Sequence, residues 1–435
     1  MKKYDNYKDS GIEWIGEIPE HWESTKLKFF GESIIGIIYS PDDVVTTGEG
    51  ILVLRSSNIQ DGKLAFEDCV FVNKEVQEKY LTKDGDILLC ARNGSAHLVG
   101  KAAYIDKQNE GITFGAFMSI VRSELDKYLF YFFNSQVFKA QTGLFSTSTI
   151  NQLTSSTLNN MFISFPRDKQ EQTAIANYLD RKTTEIDQLI ADKKRLLELY
   201  EEEKTAIINQ AVTQGINPDV PMKDSGIEWL GEIPEHWEVK RLSWCFEIIG
   251  SGTTPKAGSE EYYSNGEFNW LLTGDLTDGD ILETSKKVTQ KALDDHTSLK
   301  RYPVNSVVMA MYGATIGKLG ILKIPTTVNQ ACCVMGNAIH LHYQFAFFLL
   351  LAARNEIINM SYGGGQPNIS QELIKSFRVQ VPPIEEQKAI VHHIETKCAL
   401  IDIKTENTKK LIDLLTEYRT ALISEVVTGK IKVTE

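Results

Sequence analysis

The stretch KDSGIEWIGEIPEHWE at residues 8–23 occurs again as KDSGIEWLGEIPEHWE at residues 223–238. Fifteen of the sixteen positions are identical, and the one difference replaces isoleucine by leucine. The same offset of 215 residues aligns 171–213 with 386–428 without gaps, and sixteen of these forty-three positions are identical. A period this long indicates tandem duplication of a whole module rather than a solenoid repeat. Two related modules in one chain can pack about a pseudo-twofold axis.

Two divergent segments, 24–165 and 239–380, lie between the repeated pieces. The order of parts is therefore one copy of the doubled motif (8–23 or 223–238), a divergent segment and a long repeated stretch, and then the same three parts again. The predicted boundaries are 1–23 for the first repeat, 24–165 for the first divergent domain, 166–215 for the first helical region, 216–238 for the linker and second repeat, 239–380 for the second divergent domain, and 381–435 for the second helical region.

Each long repeated stretch has the start and stop signals of a single helix. It begins after proline and contains no further proline or glycine until Gly215 in the first copy or Gly429 in the second. Apolar residues recur at alternating spacings of three and four, which favours packing of the coiled-coil type. We predict that the two helices form an antiparallel coiled coil; the simpler alternative is that each helix braces only its own domain. The apolar stripe comprises Ile186, Ile190, Leu197, Tyr200, Ile207 and Ala211 in the first copy, and Ile401, Ile412, Leu415, Leu422 and Val426 in the second.

Both divergent segments combine short β-type runs with one aromatic-rich helical stretch. The helical stretches cover 128–138 and 345–358, and a polar loop and a final strand follow each of them. The predicted fold class is α+β, with two mixed domains separated by two long helices. The predicted strands are 51–54, 70–72, 87–89 and 102–105 in the first segment, and 270–272, 307–311 and 320–324 in the second.

The net charge of −12 is unevenly distributed along the chain. Residues 1–23 carry −3 and residues 214–238 carry −5, whereas the divergent segments carry −2 and +1, with thirteen Lys or Arg each. The near-neutral segments therefore leave room for local basic surfaces, which a nucleic-acid-binding protein requires.

The six cysteines form no CxxC pair and no regular framework, which is typical of proteins in a reducing cytoplasm. The start of the chain shows no signal-peptide pattern. The longest apolar run, 345–353, has nine residues, about half of a membrane span. The histidine pairs at 340 and 342 and at 392 and 393 have no cysteine or carboxylate at ligand spacing, so we expect no metal site. The expected location is the cytoplasm.

The order of parts resembles the specificity subunits of type I restriction–modification systems, in which two target-recognition domains alternate with two helical regions. The resemblance covers essentially the whole chain. In the first domain, residues 94–101 (GSAHLVGK) are longer than the corresponding turn of the second domain, and Ser-Thr-rich sequence replaces a Gly-Gln-Pro-Asn loop. The segments that carry the resemblance are the doubled motif, EQTAI at 171–175 and EQKAI at 386–390, GDIL at 85–88 leading to RNG at 92–94, GATIGK at 313–318, and GGQPNIS at 364–370.

The resemblance implies a subunit that binds double-stranded DNA at an asymmetric bipartite site, one half read by each domain. Phosphates are contacted by cations and backbone N–H groups, while base edges need directional donors and acceptors. The candidate DNA-binding residues are polar side chains on loops between strands: Arg55, Ser56, Ser57, Asn58, Arg92, Asn93, His97, Lys101, Ser146, Thr147, Ser148, Thr149 and Asn151 in the first domain, and Thr253, Thr254, Lys256, Tyr312, Lys318, Gln366, Asn368 and Ser370 in the second.

Four tryptophans belong to the doubled motif: Trp14, Trp22, Trp229 and Trp237. Elements shared by both halves cannot distinguish two different half-sites. We therefore interpret these residues as anchors of each domain at a helix base or as a docking surface for a partner, rather than as platforms for bases.

The sequence shows no catalytic constellation. The Gly-to-Lys strings at 94–101 and 313–318 depart from the GxxxxGK spacing, and Ala102 and Leu319 stand where a phosphate loop has Ser or Thr. The resemblance implies that chemistry resides in partners: two methyltransferase subunits that use S-adenosylmethionine, and restriction subunits that use ATP and Mg²⁺. Two identical partners require two equivalent surfaces, which the repeated parts supply. The alternatives are a targeting subunit of another multi-subunit DNA methyltransferase and a coiled-coil scaffold that binds no DNA.

Overall fold

The structure is a computed structural model that describes residues 2–46, 48–145, 151–361 and 368–434, with only the backbone described for 143–145. The chain divides into two compact units. The first unit contains Met1–Lys194 together with Lys409–Glu435, and the second contains Arg195–Thr408. Each long helix therefore contributes one end to each unit.

The first unit begins with short strands and continues into a mixed domain. Its helices are α1 (Asp126–Phe133), α2 (Gln136–Phe145), α3 (Ser155–Asn160) and the first part of α4 (Lys169–Gln214). Its strands are β1 (Tyr7–Asp9), β2 (Glu17–Pro19), β3 (Trp22–Lys26), β4 (Gly31–Ile35), β5 (Val44–Val45), β6 (Ile51–Leu54), β7 (Ile59–Gln60), β8 (Lys63–Leu64), β9 (Val70–Val72), β10 (Ile87–Cys90), β11 (Ala102–Tyr104), β12 (Thr113–Phe114), β13 (Met118–Ser123) and β14 (Phe162–Pro166).

Two four-stranded sheets form the body of the first domain. One is antiparallel with the order β11-β10-β13-β4, and the other has the order β12-β6-β9-β5 with a parallel β12-β6 pair. The central strand β10 is buried along its whole length, as expected for an apolar run covered on both faces. The pair β3-β14 joins the beginning of the divergent segment to its end.

The second unit repeats this order with different side chains. Its strands are β15 (Met222–Asp224), β16 (Glu232–Pro234), β17 (Glu238–Arg241), β18 (Phe246–Ser251), β19 (Phe268–Leu271), β20 (Gly279–Ile281), β21 (Lys286–Val288), β22 (Val307–Ala310), β23 (Leu319–Leu322), β24 (Thr327–Val328), β25 (Cys332–Ala338) and β26 (Arg378–Val381). Its helices are α5 (Leu242–Cys245), α6 (Glu260–Tyr263), α7 (Gln290–Asp295), α8 (Tyr343–Ala352), α9 (Arg354–Asn359), α10 (Gln371–Ser376) and the first part of α11 (Ile384–Val427).

The sheets of the two units share the order of most of their strands, although β20 adds a fifth strand to one sheet of the second unit. The order β18-β25-β22-β23 matches β4-β13-β10-β11, and β21-β19-β24 matches β9-β6-β12, including the parallel pair. The pair β17-β26 matches β3-β14. The divergent segments therefore share one fold, and the α+β class predicted from the sequence is confirmed.

The long helices end where the sequence places glycine. Helix α4 ends at Gln214 and α11 at Val427, and Gly215 and Gly429 follow in the left-handed region with φ of 79° and 71°. A side chain at residue 429 would place its Cβ 2.3 Å from Pro19 Cδ. Glycine therefore caps the helix and also leaves space for the domain packed against it.

The two helices run antiparallel within each unit. In the first unit, the Arg419 guanidinium donates to both carboxylate oxygens of Asp187, at 2.7 and 3.2 Å. In the second, Lys204 Nζ lies 2.8 Å from Asp402 Oδ1. These ion pairs occupy equivalent positions, because residues 187 and 402, and residues 204 and 419, each differ by the offset of 215. The predicted coiled-coil pairing is confirmed.

The doubled motif anchors each domain to the base of a long helix. Trp22 Nε1 donates to Glu171 Oε1 at 3.2 Å, and Trp237 Nε1 donates to Glu386 Oε1 at 3.1 Å. Both indole rings are fully buried. Of the two roles left open by the sequence, Trp22 and Trp237 therefore have the anchoring role. The prediction that a partner docks on these two rings is wrong, because a ring without exposed surface cannot contact a partner.

The other two tryptophans of the motif are only partly buried. Trp229 stacks on Phe377 with ring centroids 5.6 Å apart and an interplanar angle of 20°. Trp14 packs against the core of the first unit, and its Nε1 is buried without a hydrogen-bond partner among the described residues. Both rings keep some exposed surface, so partner docking at Trp14 and Trp229 stays a prediction.

The domains also satisfy the last carbonyl groups of the long helices, which have no partner within the helix. In the first unit, the Tyr128 hydroxyl lies 2.9 Å from Val427 O and 2.6 Å from Ser164 O, so the two carbonyls share its one proton. Gln380 Nε2 donates to Val212 O at 2.7 Å in the second unit. Different side chains thus perform the same task at positions related by the repeat, and the end of the helix from one repeat completes the domain of the other.

Candidate nucleic-acid interface

In the first domain, polar loops meet at the end of the sheet beyond β10. Leu153 N donates to Ala91 O at 2.7 Å, which brings the segment before α3 against the chain that leaves β10. Next to this contact, Arg92 and Gln152 form an isolated bridge. Asn93 Nδ2 donates to Ser56 Oγ at 3.1 Å, which adds the turn after β6. The structure therefore brings together three segments that are distant in sequence.

A groove of about 970 Å³ opens beside these loops. Arg55, Ser56, Ser57 and Arg92 line it, all four of which are sequence-predicted candidates. The Arg92 guanidinium lies over the Phe117 ring, 5.3 Å from its centroid. A guanidinium held over an aromatic ring is restricted in its orientation yet keeps its N–H donors, which suits it to the acceptors of a guanine edge.

Asn58 and Arg55, two further candidates in this region, also have partners inside the protein. Asn58 is fully buried, and its amide donates to Ala65 O and Asp68 O at 2.8 and 3.0 Å. Its role is therefore to close the turn, and we leave it out of the proposed interface. Arg55 Nη2 lies 2.6 Å from Asp68 Oδ1, so this guanidinium meets DNA only if it shares or releases the carboxylate.

The second domain assembles an equivalent surface beyond β22. Ile369 N donates to Met311 O at 2.8 Å, matching the Leu153–Ala91 contact of the first domain. Thr254 Oγ1 donates to Gln330 Oε1 at 2.5 Å, and Gln371 Nε2 donates to Ser251 Oγ at 2.6 Å. Thr254 and Asn368 are exposed at this end of the unit, and Tyr312 is half-buried against the core.

The turns after β10 and β22 have the same hydrogen bonds. Gly100 N donates to Cys90 O at 2.9 Å, and Gly317 N donates to Ala310 O at 2.8 Å. In each turn the next residue is an exposed lysine, Lys101 or Lys318. The lysines predicted from the sequence are thus structurally equivalent, although the first loop is longer.

The remaining candidates are more dispersed. His97 and Lys101 line a second groove of the first unit, separate from the groove beside Arg92. Thr253 presents its carbonyl to Trp270 Nε1, and Ser370 caps α10 by accepting from Leu373 N, so part of each residue is used internally. Lys256 is exposed and Asn151 Nδ2 donates to Gly94 O. Ser146, Thr147, Ser148, Thr149 and Gln366 lie outside the described residues.

The sequence interpretation missed several residues of the two surfaces. Phe117 and Ile38, with 60% and 79% of their surface exposed, border the first groove, and Gln330 belongs to the second surface. Apolar side chains carry no polar signal in the sequence, although they can contact the thymine methyl group. Gly252 is one local signal in the sequence. A side chain at residue 252 would place its Cβ 1.7 Å from Val328 O, so glycine is needed where this backbone passes close to Val328 and brings Thr254 to Gln330.

Among the described residues, no group of three or more His, Cys, Asp or Glu side chains is placed to hold a metal ion. All six cysteines are free thiols, and four of them are buried. In the described part of the chain, no helix combines the length and the hydropathy needed to cross a membrane.

A family model described as the type I restriction modification DNA specificity domain matches residues 19–199 and again 234–414. The chain belongs to this family. The two matches start 215 residues apart, which is the offset of the repeat, and each match extends into one of the long helices.

Similar proteins span the whole chain. The putative type I restriction enzyme MjaX specificity subunit of Methanocaldococcus jannaschii is 28% identical and covers 99% of this chain and 98% of its own length. The type I restriction enzyme EcoKI specificity subunit of Escherichia coli K12 is 23% identical and covers 96% and 90%. The chain is thus similar to specificity subunits over both domains and both helices.

Solved structures share the fold at low sequence identity. The HsdS subunit from Thermoanaerobacter tengcongensis superposes with a TM-score of 0.58 at 13% identity, covering 95% of this chain and 98% of that one. A chain from a structural study of complex assembly and conformational transition in a type I restriction–modification system gives a TM-score of 0.72 at 12% identity, with 95% and 99% covered. The chain therefore shares the fold of these solved structures.

Proposed function

We propose that this chain is the non-catalytic specificity subunit of a type I restriction–modification enzyme and reads an asymmetric bipartite DNA site. The observation that carries the proposal is the pair of equivalent loop clusters on one shared fold. Their equivalent positions hold different side chains. Arg92 follows the Ala91–Leu153 contact in the first domain, and Tyr312 follows the Met311–Ile369 contact in the second. A common scaffold with different reading groups is what recognition of two different half-sites requires.

The direct reading of bases is proposed to come from loop side chains rather than from the sheets. Arg92, Asn93, Ser56 and Asn151 supply donors and acceptors in the first domain, and Phe117 and Ile38 add apolar surface. Thr254, Gln330, Tyr312 and Asn368 supply the corresponding surface in the second. The Ser-Thr-rich residues 146–149 and Gln366 stay candidates on the basis of sequence alone.

Chemistry is proposed to come from partner subunits in the cytoplasm. Two methyltransferase subunits would supply S-adenosylmethionine-dependent methylation, and restriction subunits would supply the reaction that depends on ATP and Mg²⁺. Two identical partners need two equivalent surfaces. The partly exposed Trp14 and Trp229 and the paired long helices, which recur at the offset of 215 residues, meet this requirement.

Methylome sequencing of a host that expresses the complete complex tests the proposal. The wild-type complex is expected to methylate one bipartite sequence with an unread spacer. Arg92→Ala is expected to relax the half-site read by the first domain alone, because loss of a bidentate base contact costs about 1–3 kcal/mol at one position. Tyr312→Ala is the matched variant, since residue 312 follows the equivalent contact in the second domain, and it is expected to alter the other half-site alone.

Two results would contradict this function. A complex that binds random duplex and specific duplex equally well would leave only the scaffold alternative. A methylated sequence in which Arg92→Ala and Tyr312→Ala alter the same half-site would show that the two domains do not read separate halves. Co-purification of a methyltransferase without any restriction subunit would keep the reading mechanism but assign the chain to a different multi-subunit DNA methyltransferase.

A further inference from the structure

A groove of about 700 Å³ in the first unit is lined by more basic than acidic side chains. The β7–β8 hairpin, the loop before β11 and the beginning of α2 form one wall. Helices α4 and α11 form the other wall. We infer that this groove binds the sugar–phosphate backbone of the DNA, outside the base pairs that the first domain reads. The inference rests on the proposed function and adds a second contact region to it.

Four lysines line the groove with their side chains exposed: Lys63, Lys101, Lys139 and Lys194. Among the described residues, none of the four forms an ion pair. Arg419 is also present, but its charge is matched by Asp187, and Asp61 is the other acidic residue of the lining. The five cations and two carboxylates leave an excess of three positive charges in a chain whose net charge is −12.

The chemistry of these side chains favours phosphate over base edges. Lysine carries a compact charge on a flexible stem and contacts phosphate without a directional requirement, whereas base reading relies on planar or fixed donors and acceptors. Unpaired lysines in an open groove repel one another, and a polyanion in the groove reduces that repulsion. His97 and Lys101, both candidates on the basis of sequence, lie beside three lysines from other elements.

The second unit differs at the corresponding turn, where β20 pairs with β23 instead of forming a hairpin. Asp61 and Asp278 occupy equivalent positions in the two units. Both adopt left-handed conformations, with φ of 49° and 62°, and a glycine follows each of them. The next residue is Lys63 in the first unit but Asp280 in the second, and Asp280 lies 3.5 Å from Lys323 Nζ. A surface that docks two identical methyltransferase subunits must be the same in both units. The replacement of Lys63 by an acidic residue in the second unit therefore favours DNA as the occupant.

The experiment measures the salt dependence of DNA binding by the complete methyltransferase complex. The variant is Lys63→Gln/Lys139→Gln/Lys194→Gln, and the matched control is Lys28→Gln/Lys79→Gln/Lys107→Gln. The control removes the same charge from exposed lysines of the same unit that do not line the groove. Fluorescence anisotropy on the specific duplex and on a duplex with scrambled half-sites gives log Kd against log salt for each complex.

Each lost phosphate contact is expected to lower the slope by about 0.9, so three lost contacts lower it by about 2.7. Between 50 and 200 mM salt, the affinity of the groove variant should then fall about 40-fold less than that of the wild type. The loss of affinity should be equal for specific and scrambled duplexes, and the methylated sequence should stay the same. Single substitutions at residues 63, 139 and 194 should each lower the slope by about one third of this amount.

A groove variant whose slope equals that of the control overturns the inference. So does a variant with a normal slope and weakened assembly with the methyltransferase subunit, since the groove would then dock an acidic protein surface. Neither result affects the proposed function, as long as the wild-type complex discriminates specific from scrambled duplex. Failure of the wild type to discriminate would instead contradict the function itself.

Discussion

The carboxylate at the base of each long helix offers a quantitative test of how the two domains are anchored. In the first unit, Glu171 Oε1 accepts from Tyr4 OH at 2.7 Å and from Trp22 Nε1 at 3.2 Å. In the second unit, the equivalent Glu386 Oε1 accepts from Trp237 Nε1 at 3.1 Å. The residue equivalent to Tyr4 by the repeat offset is Asp219, so the second cluster lacks the phenol.

The perturbation is Glu171→Leu, with Glu386→Leu as its matched counterpart. Glu171→Leu removes the acceptor of two donors, the hydroxyl of the largely buried Tyr4 and the indole N–H of the fully buried Trp22. Each unsatisfied donor costs about 1–3 kcal/mol. Burial of the leucine side chain offsets part of this, so we expect a loss of about 3 kcal/mol. Glu386→Leu leaves one such donor, Trp237 Nε1, without an acceptor, and we expect a loss of about 1.5 kcal/mol.

Tyr4 remains a donor across the neutral pH range. Burial, followed by the hydrogen bond to Glu171, holds the pKa of the Tyr4 phenol well above its usual value. The expected losses therefore do not depend on ionisation of the tyrosine. His21 lies 2.9 Å from Glu171 and His236 lies 2.7 Å from Glu386. Both imidazoles are about half exposed, so water can take the place of the lost carboxylate in each leucine variant.

Differential scanning calorimetry of the full chain measures the effect. For a unit of this size, 1 kcal/mol corresponds to about 2–4 °C in Tm, so Glu171→Leu should lower the transition of its unit by about 6–12 °C. Hydrogen exchange on peptides from 1–30 and 216–245 assigns each transition to its unit. Glu171→Gln keeps an acceptor oxygen and should lose about 1 kcal/mol.

The double variant Tyr4→Phe/Glu171→Leu provides the refutation. In the Tyr4→Phe background, the cost of Glu171→Leu should fall to that of Glu386→Leu, because one stranded donor is no longer present. Equal costs with and without the Tyr4 hydroxyl would show that the carboxylate does not act through these hydrogen bonds. A Tm change below 2 °C for Glu171→Leu would refute the anchoring argument as a whole.

Four further predictions concern a buried ion pair, the thiols and the repeat. Asp86→Ala should destabilise the first unit by about 3 kcal/mol in urea titrations, because it leaves the Arg122 guanidinium without its paired carboxylate. The control variant Asp106→Ala removes an exposed aspartate and should change stability by less than about 0.5 kcal/mol. At pH 8 a thiol reagent should modify two of the six cysteines in the native chain, Cys69 and Cys398, while the buried four stay unreactive. Burial raises the pKa of Cys245 to about 11 and that of Cys333 to about 12, so the native state holds protons that the unfolded state releases, and stability should fall as pH rises above about 9. The fragment 1–215 should dimerise and direct methylation of a symmetric site, since the end of α4 in one copy can fill the position of the end of α11 in another; methylation of the original asymmetric site by that fragment would contradict the scheme.

The strands and long helices predicted from local sequence signals are present, although the structure contains many more strands than these. The apolar runs at 51–54, 70–72 and 87–89 are strands, and the proline and glycine signals located both ends of the long helices within a few residues. The predicted helical stretch 128–138 is divided into α1 and α2 at residues 134–135, and the stretch 345–358 is divided into α8 and α9 at Ala353. Periodicity detects an apolar face but not a short interruption in the helix.

The composition of the candidate interface was only partly predictable. Arg92 and Ser56 carry chemistry suited to DNA and lie on loops, so residue type and context identified them. Asn58 has the same chemistry but is buried, because its amide closes a turn through hydrogen bonds to residues seven and ten positions away. Phe117 and Ile38 gave no polar signal and became candidates only through their exposure beside Arg92.

The sequence by itself determined the duplication, the alternation of domains and helices, and the family resemblance. Repeated residues at a fixed offset must make repeated contacts, and the pairs Trp22–Glu171 and Trp237–Glu386 do so. Only the tertiary structure decided that the divergent segments share one sheet order and that the end of each helix completes the domain of the other repeat. The physical reason is that strand pairing and helix docking join residues far apart in the chain, such as Tyr128 and Val427, and the energies of such contacts leave no local pattern in the sequence.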